Sequence, residues 1–550
     1  MKRCLSFILV ITMVMALLAG CGGNSNTDAN NANVKPNLPA GEKIVRITAD
    51  STPVIDPAIG ISNSSSIAFV NLYDTLVFPT ENGVKPWLAT DWKVNEDGTE
   101  YTFYLKEGIK FHDGSELLAS DVVFTAKRLT DIGEGFAYIY SDILKEVVAV
   151  DDYTVKFVLN RSFGPFVDSL CRLYIVNEDL IMANLSEGSY GEYGDYGRDF
   201  LITNDAGSGP YMAKELVQQD YFYAVKFDDW HIGWEKNAPE SFKIIYGTEP
   251  STVRTMLASK QLEISDMWQS TESLEALSKL EGIKLVPYST RLVQNVFFNT
   301  SIAPTDDVNF RKALSCLFDY EMIVNNIFVD SRTNNGPVSS YTAGNVETNQ
   351  YKYDVEKAKE YFSKSKYANS LRDYPIEFLV NSDVQDIEKI ALAFQSSAKQ
   401  AGINVQITKA PWVTIQERVS NPESTPNVTT INAGPQYNEA GATLESGFHS
   451  KTAGTYENCH WYLTDELDAE IEDALATTDK EERFRKYEAL QNKIVDEIAP
   501  CAWIADLTER VAYQETYIQW PAAEAAKSGE LKAYLMGYPY FFPDMRYITE

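Results

Sequence analysis

The chain carries one long apolar run, Leu5 to Leu18, and none of comparable length in the rest of its 550 residues. That pattern constrains the fold before any motif does. The body has to bury its own core in water, and it exceeds the roughly 250–300 residues at which a single core stops growing. Two or more packed units are expected. The run itself falls short of the roughly 20 apolar residues that a membrane span needs. It follows Lys2 and Arg3 and ends in Leu18-Ala19-Gly20-Cys21. A charged start, an apolar middle and a small-residue end make residues 1–20 a signal peptide.

Leu18-Ala19-Gly20-Cys21 resembles the bacterial lipobox, whose cysteine receives diacylglycerol and becomes the new N-terminus. The resemblance implies lipidation of Cys21 and anchoring on the extracytoplasmic face of the cell membrane, at the cell surface or in the periplasm. Residues 21–42 are mostly Gly, Asn, Ser, Ala and Pro and read as a flexible tether. Losing residues 1–20 removes two positive charges and no negative ones, which takes the formal net charge from −30 to −32. Nucleic acid is excluded as a partner, because its binders carry basic faces. The acidity reads first as a solvated surface that resists aggregation.

Further along, the hydrophobic period changes. Residues 44–48 alternate as a strand, Asp56-Pro57 leads into a polar loop from Ser62 to Ser66, and Asp97-Gly98 marks a hairpin turn between alternating runs. A second hairpin turns at Asp151-Asp152, and Ser120 caps a helix expected from Asp121 to about Leu129. In the second half, Phe310, Ala313, Leu314, Leu317 and Phe318 share one helical face behind Asp306 and Asp307. Ile387, Ile390, Ala391, Phe394 and Ala398 form another stripe, closed by Gly402 and followed by a strand at 403–408. Asp479 and Glu482 resemble a capping box ahead of Phe484, Tyr487, Leu490 and Ile494. Helix followed closely by strand marks an α/β fold.

Reactive groups are scarce. The chain has no phosphate-binding loop, no His-Glu-x-x-His pair and no Gly-x-Ser-x-Gly elbow. Its four histidines, His112, His231, His449 and His460, form no metal-ligand spacing. Cys171, Cys316, Cys459 and Cys501 read first as buried thiols and second as holding one disulfide. No catalytic residue, metal or cofactor is assigned. Aromatic side chains beside short polar ones do stand out: Trp268 precedes Gln269-Ser270-Thr271, and Trp412 follows the 403–408 strand across Ala410-Pro411. Such groups suit a binding cleft better than a catalytic centre.

Several segments, in order and spacing, resemble the oligopeptide/dipeptide-type (family 5) solute-binding lipoproteins of bacterial ABC transporters. They include NLYDTLV (71–77), YTFYLKEGIKFHDGSELLASDVVFTAKRL (101–129), GSGPYMAKEL (207–216), FFNTSIAPTDDVNFRKALSCLFDYEMIV (297–324) and RFRKYEALQNKIVDEIAP (483–500). The resemblance implies an α/β, two-lobed periplasmic-binding-protein-like fold, type II-like, with an extra β-rich subdomain and a hinge of two crossings. Lobe I would comprise 43–74, 204–292 and 501–550, its β-rich subdomain 75–203, and lobe II 293–500. Crossings near 293–298 and 500 would form the hinge. The implied function is capture of a peptide-like solute between closing lobes for an ABC permease and its cytoplasmic ATPase subunits, without catalysis. The alternatives are an oligosaccharide receptor or a sensory or adhesion lipoprotein.

Peptide-binding members carry an aspartate, which takes the peptide's amino terminus, just ahead of Tyr-Asn-Glu. Here Gln436 stands ahead of Tyr437-Asn438-Glu439. A neutral amide cannot pair with an ammonium, and the charged hydrogen bond is worth about 1.5–3 kcal/mol against about 1 for a neutral one. Glu439 is the alternative occupant of the aspartate's role. The expected lining is Asn63, Ser64, Ser65, Trp268, Gln269, Trp412, Asn432, Gly434, Gln436, Tyr437 and Glu439. This amide- and hydroxyl-rich set suits saccharide hydroxyls as well as an uncharged peptide-like solute.

Overall fold

The structure, a computed structural model, describes residues 43–548 except Asn82, Thr248 and Gln350. The signal peptide, Cys21 and the tether lie outside the described residues. Among the described residues, no helix is long and apolar enough to cross a membrane.

Two sheets organise the chain. In the first, Ile44–Ala49 runs parallel to Ser241–Tyr246, which continues antiparallel through Tyr221–Lys226 to Tyr211–Val217. Single bridges from Ile264 to Ile47 and to Tyr513 join this sheet to the antiparallel pair Ile283–Tyr288 and Glu509–Gln514. The second sheet has six strands, in the order Arg332–Thr333, Cys501–Asp506, Val293–Phe298, Val428–Ala433, Ile376–Asn381 and Val405–Ala410. Ile376–Asn381 is parallel to both of its neighbours, with the helix Gln385–Gln400 as the crossover to Val405–Ala410. Ile387, Ile390, Ala391, Phe394 and Ala398 of that helix are buried, and Gly402 follows it at φ +88°, where a Cβ would be strained.

The β-rich subdomain is an antiparallel sheet of Ala89–Val94, Glu100–Leu105, Thr154–Leu159 and Leu144–Asp151, with both expected hairpins in place. Its helix spans Ala119–Ile132, so Ser120 lies inside the first turn and is not the cap. Asp121 does the capping: its carboxylate accepts from the Leu118 N–H at 2.8 Å and the Glu178 N–H at 2.9 Å. The polar stretch expected as a loop is likewise the start of a helix, Asn63–Leu72, capped by Ser62. Ser and Asn favour loops and caps alike, so composition does not separate the two.

The chain crosses between the sheets at 289–292 and at 507–508. Cys501–Asp506, expected with lobe I, pairs instead with Val293–Phe298 inside the six-stranded sheet, all six residues buried. The sequence offers Pro500 as the break, but the run from Cys501 to Gln514 has no Gly or Pro where the crossing occurs. The crossings also bind each other. Leu507 N–H donates to Leu292 O at 2.9 Å, and the Glu509 carboxylate accepts from the Thr290 N–H at 3.0 Å and from its hydroxyl.

Arg128 ties the subdomain helix to the segment behind the first strand. Its guanidinium donates to both Asp56 oxygens, at 2.7 and 2.6 Å, and to Tyr196 O at 2.9 Å, with both side chains about 2 % exposed. Arg128→Ala leaves a buried, unpaired carboxylate and is expected to destabilise the protein by about 3–5 kcal/mol. Urea unfolding of the ligand-free protein measures this, and a loss below 1 kcal/mol would contradict the assignment.

Candidate functional site

The expected lining divides between the two sheets. On the first, Asn63 lies beside the Asp266–Gln269 turn, its amide 3.6 Å from the Met267 sulfur. Gln269 donates to Asp266 at 3.0 Å and Trp268 N–H does so at 2.9 Å. Burial pushes the Asp266 carboxyl up to about 6, against the hydrogen bonds from Gln269 and Thr48. Ser64 and Ser65, expected in the lining, are buried and hydrogen-bonded within the fold. The Ser64 hydroxyl bonds those of Ser51 and Ser62 at 2.8 and 3.0 Å, and Ser65 accepts from Val54 N–H at 3.0 Å and Ser62 at 2.9 Å. Both tie the start of the Asn63–Leu72 helix to residues 51–54.

On the second sheet, Asn432 lies opposite Gln294 near the end of Val428–Ala433, and Gly434 follows it. A Cβ on Gly434 would sit 2.9 Å from Arg291 O, so the glycine allows a close approach of two backbones. Trp412 opens the helix Trp412–Val419, one step beyond a strand that runs two residues later than expected, and stacks edge-on to Tyr456 at 5.5 Å. Tyr456 O–H donates to Glu457 at 3.1 Å, and Gln436 Nε2 donates to the same carboxylate at 3.3 Å. Gln436 Oε1 has no hydrogen-bond partner, and neither does the Tyr437 hydroxyl, whose ring meets Phe163 edge-on at 6.4 Å.

Glu439 is engaged within its own lobe. Its two oxygens accept from Arg483 at 2.7 and 2.9 Å and from Tyr487 O–H at 2.7 Å, so its charge is already matched. The buried acid beside Gln436 is Glu457, which sequence reasoning missed. It is 7 % exposed, and burial pushes its carboxyl up against hydrogen bonds from Ser446, Tyr456 and Gln436. No motif marks it, because Thr455-Tyr456-Glu457-Asn458 reads as an ordinary polar loop. Arg172 was also missed, although a single arginine inside the apolar Phe166–Val176 stretch was a legible signal. His112 bonds Asp205 and Gly209 O, and Cys171, Cys316, Cys459 and Cys501 are free and buried. Among the described residues, no three His, Cys, Asp or Glu side chains are placed to hold a metal ion.

The β-rich subdomain touches the lobe of the second sheet across the cleft. Arg172 Nε donates to Gln436 O at 2.7 Å, Asn438 Nδ2 to Glu81 O at 2.7 Å, Gly164 N–H to Leu475 O at 2.7 Å and Ser162 O–H to Ala476 O at 2.6 Å. Two α/β lobes, hinged by two strands and closed over a few buried polar groups, define a solute-binding protein. The family model of bacterial extracellular solute-binding proteins, family 5 (middle region), matches residues 83–455, and the chain belongs to that family. It is 30% identical over 455 residues to the probable D,D-dipeptide-binding periplasmic protein DdpA of Escherichia coli, covering 81% of this chain and 85% of that one. It is 24% identical over 550 residues to heme-binding protein A of Haemophilus influenzae, covering 93% and 96%. The dipeptide-binding protein of Pseudoalteromonas in complex with Met-Leu superposes with a TM-score of 0.79 at 20% identity, over 92% of this chain and 100% of that one.

Glu509, between the crossings, links folding stability to pH. Burial raises its carboxyl from 4.5 to about 7, opposed by the Thr290 hydrogen bonds. The folded protein therefore retains a proton that the unfolded chain releases. Stability falls as pH rises from about 4.5 to about 7, by up to ~3 kcal/mol from this group. Glu509→Gln is expected to flatten that part of the profile. Urea titrations at pH 5 and pH 8 test it, and a variant that keeps the wild-type difference would refute it.

Proposed function

We propose that this chain captures a peptide-like solute between its lobes and delivers it to the permease of an ABC importer whose ATPase subunits are separate. Family membership supports the solute-binding role, and the names of relatives such as DdpA support a peptide. The observation that carries the reading is the buried polar group at the cleft. Gln436 and Glu457 face each other at 3.3 Å, with Gln436 Oε1 unpartnered and Trp412 and Tyr456 forming an aromatic wall alongside. Lipidation of Cys21 would hold the receptor near its permease, since a short flexible tether raises effective concentration without new contacts. In this reading lobe I comprises 43–74, 204–292 and the segment after the second crossing, with 75–203 as its subdomain, and lobe II lies between the crossings.

A ligand that binds only the folded state raises its melting temperature. Short peptide pools are expected to do so with protein first stripped of carried-over solute. Gln436→Ala and Trp412→Ala should each weaken binding by about tenfold, the scale of one lost buried polar or aromatic contact, while leaving the ligand-free melting temperature in place. Calorimetric titration measures this. A shift with glycans and none with peptides would overturn the peptide reading, and unchanged affinity in both variants would move the site elsewhere.

A further inference from the structure

The β-rich subdomain contributes no strand to either main sheet, yet it supplies one side of each cross-cleft bond described above. Glu81, Ser162, Gly164 and Arg172 all belong to it. Around the first sheet itself, the second lobe is met by Thr271, whose hydroxyl donates to Ile327 O at 3.0 Å, and by an exposed Lys389–Glu272 pair at 2.8 Å. An exposed ion pair holds little. The subdomain does something different in kind, because it finishes a helix that belongs to the other lobe.

The helix Asp465–Ala476 ends on four carbonyls that have no partner inside the helix. Its own lobe serves two of them, with Thr477 O–H donating to Asp473 O at 2.8 Å and Thr477 N–H to Ala474 O at 3.2 Å. The other two are met from the subdomain: Leu475 O by the Gly164 N–H at 2.7 Å, and Ala476 O by the Ser162 hydroxyl at 2.6 Å. Leu475 is buried, and a buried carbonyl needs such a partner. Parting the lobes therefore breaks half of this helix cap, and closing them makes it.

The fit is close enough to require glycine. Gly164 is not in a left-handed conformation, so its own backbone would accept a side chain. A Cβ there would instead run into Thr477 O and Arg483 Nη1 of the other lobe. Neither can step aside. The first is backbone, and the Arg483 guanidinium is held by Glu439 at 2.7 and 2.9 Å and by the Thr477 and Thr478 carbonyls. At the tip of the adjoining hairpin, a Cβ on Gly98 would lie 2.5 Å from Thr478 Cγ2.

We infer that the β-rich subdomain is the latch of the closed receptor: Ser162 and Gly164 cap the helix Asp465–Ala476 across the cleft and hold the lobes together over the solute. This rests on the reading that the lobes close over a solute, and it gives the subdomain its part in closure. The latch residues lie outside the proposed lining, so they strengthen the binding of every solute by the same factor.

The test combines small-angle X-ray scattering with isothermal titration on the full chain in three states: as purified, stripped of carried-over solute, and stripped with a pool of di- and tripeptides added. The wild type is expected to reach the compact radius of gyration of this structure in at least one of them. Gly164→Ala should melt cooperatively yet stay more extended in that state. It should bind the pool about tenfold more weakly, through faster dissociation and by one common factor for peptides titrated singly. Ser162→Tyr changes a half-buried side chain on the same loop and should act alike; it decides the matter if Gly164→Ala does not fold. A folded variant as compact as the wild type would overturn the latch, whatever its affinity, and so would a wild type that is compact in none of the three states. A pool that neither binds nor compacts the wild type removes the peptide reading alone, and scattering from the proteins as purified then decides the latch.

Discussion

Two strands running side by side between the sheets carry the rest of the architecture. The pairing that begins at Ile283 with Gln514 ends at Tyr288 with Glu509, and it resumes on the far side from Val293 with Asp506 to Phe297 with Cys501. Only residues 289–292 and 507–508 lie between the two ladders. A hinge built this way has few backbone dihedrals free to change, so the lobes move as units on a short strip. Thr290 and Glu509 sit on that strip, and so does Arg291.

Charge is handled differently in the lobes and between them. Inside the lobes, several buried ions come in close pairs, which offsets their desolvation: Asp56 with Arg128, Glu263 with Arg46, Glu439 with Arg483. At the cleft the buried groups keep unmet capacity, on Gln436 Oε1 and on an Nη2 of Arg172 and of Arg291. Unmet polar groups are costly in a core and useful where a ligand completes them. Glu439 and Glu457 are both buried acids on the same lobe, yet only one of them is matched by a cation.

Helix caps and periodicity were read well because they are local. Asp307 accepts from the Phe310 N–H and Asp479 from the Glu482 N–H, as their spacing implied. The β-rich hairpins followed from turn chemistry in the same way. Readings failed where two local meanings coincide. Ser62 to Ser66 suits a loop or a helix start, and Cys501 to Gln514 is an unbroken strand-like run whose division between two sheets has no local mark. Among the candidate site residues, Gln436 and Trp412 stand out in the sequence as a departure and as aromatic punctuation, whereas the engagement of Ser64, Ser65 and Glu439 by the fold has no local mark.

The sequence by itself determined the α/β class, the capped helices and the absence of familiar catalytic motifs. These depend on neighbours a few residues apart, and short-range chemistry is written directly in the order of residues. Only the tertiary structure decided which buried charges are satisfied. Arg172 meets the Gln436 carbonyl from 264 positions away, and Glu439 meets Arg483 from 44. Whether a buried ion has a partner depends on which strands the hinge brings together, and no local pattern encodes that.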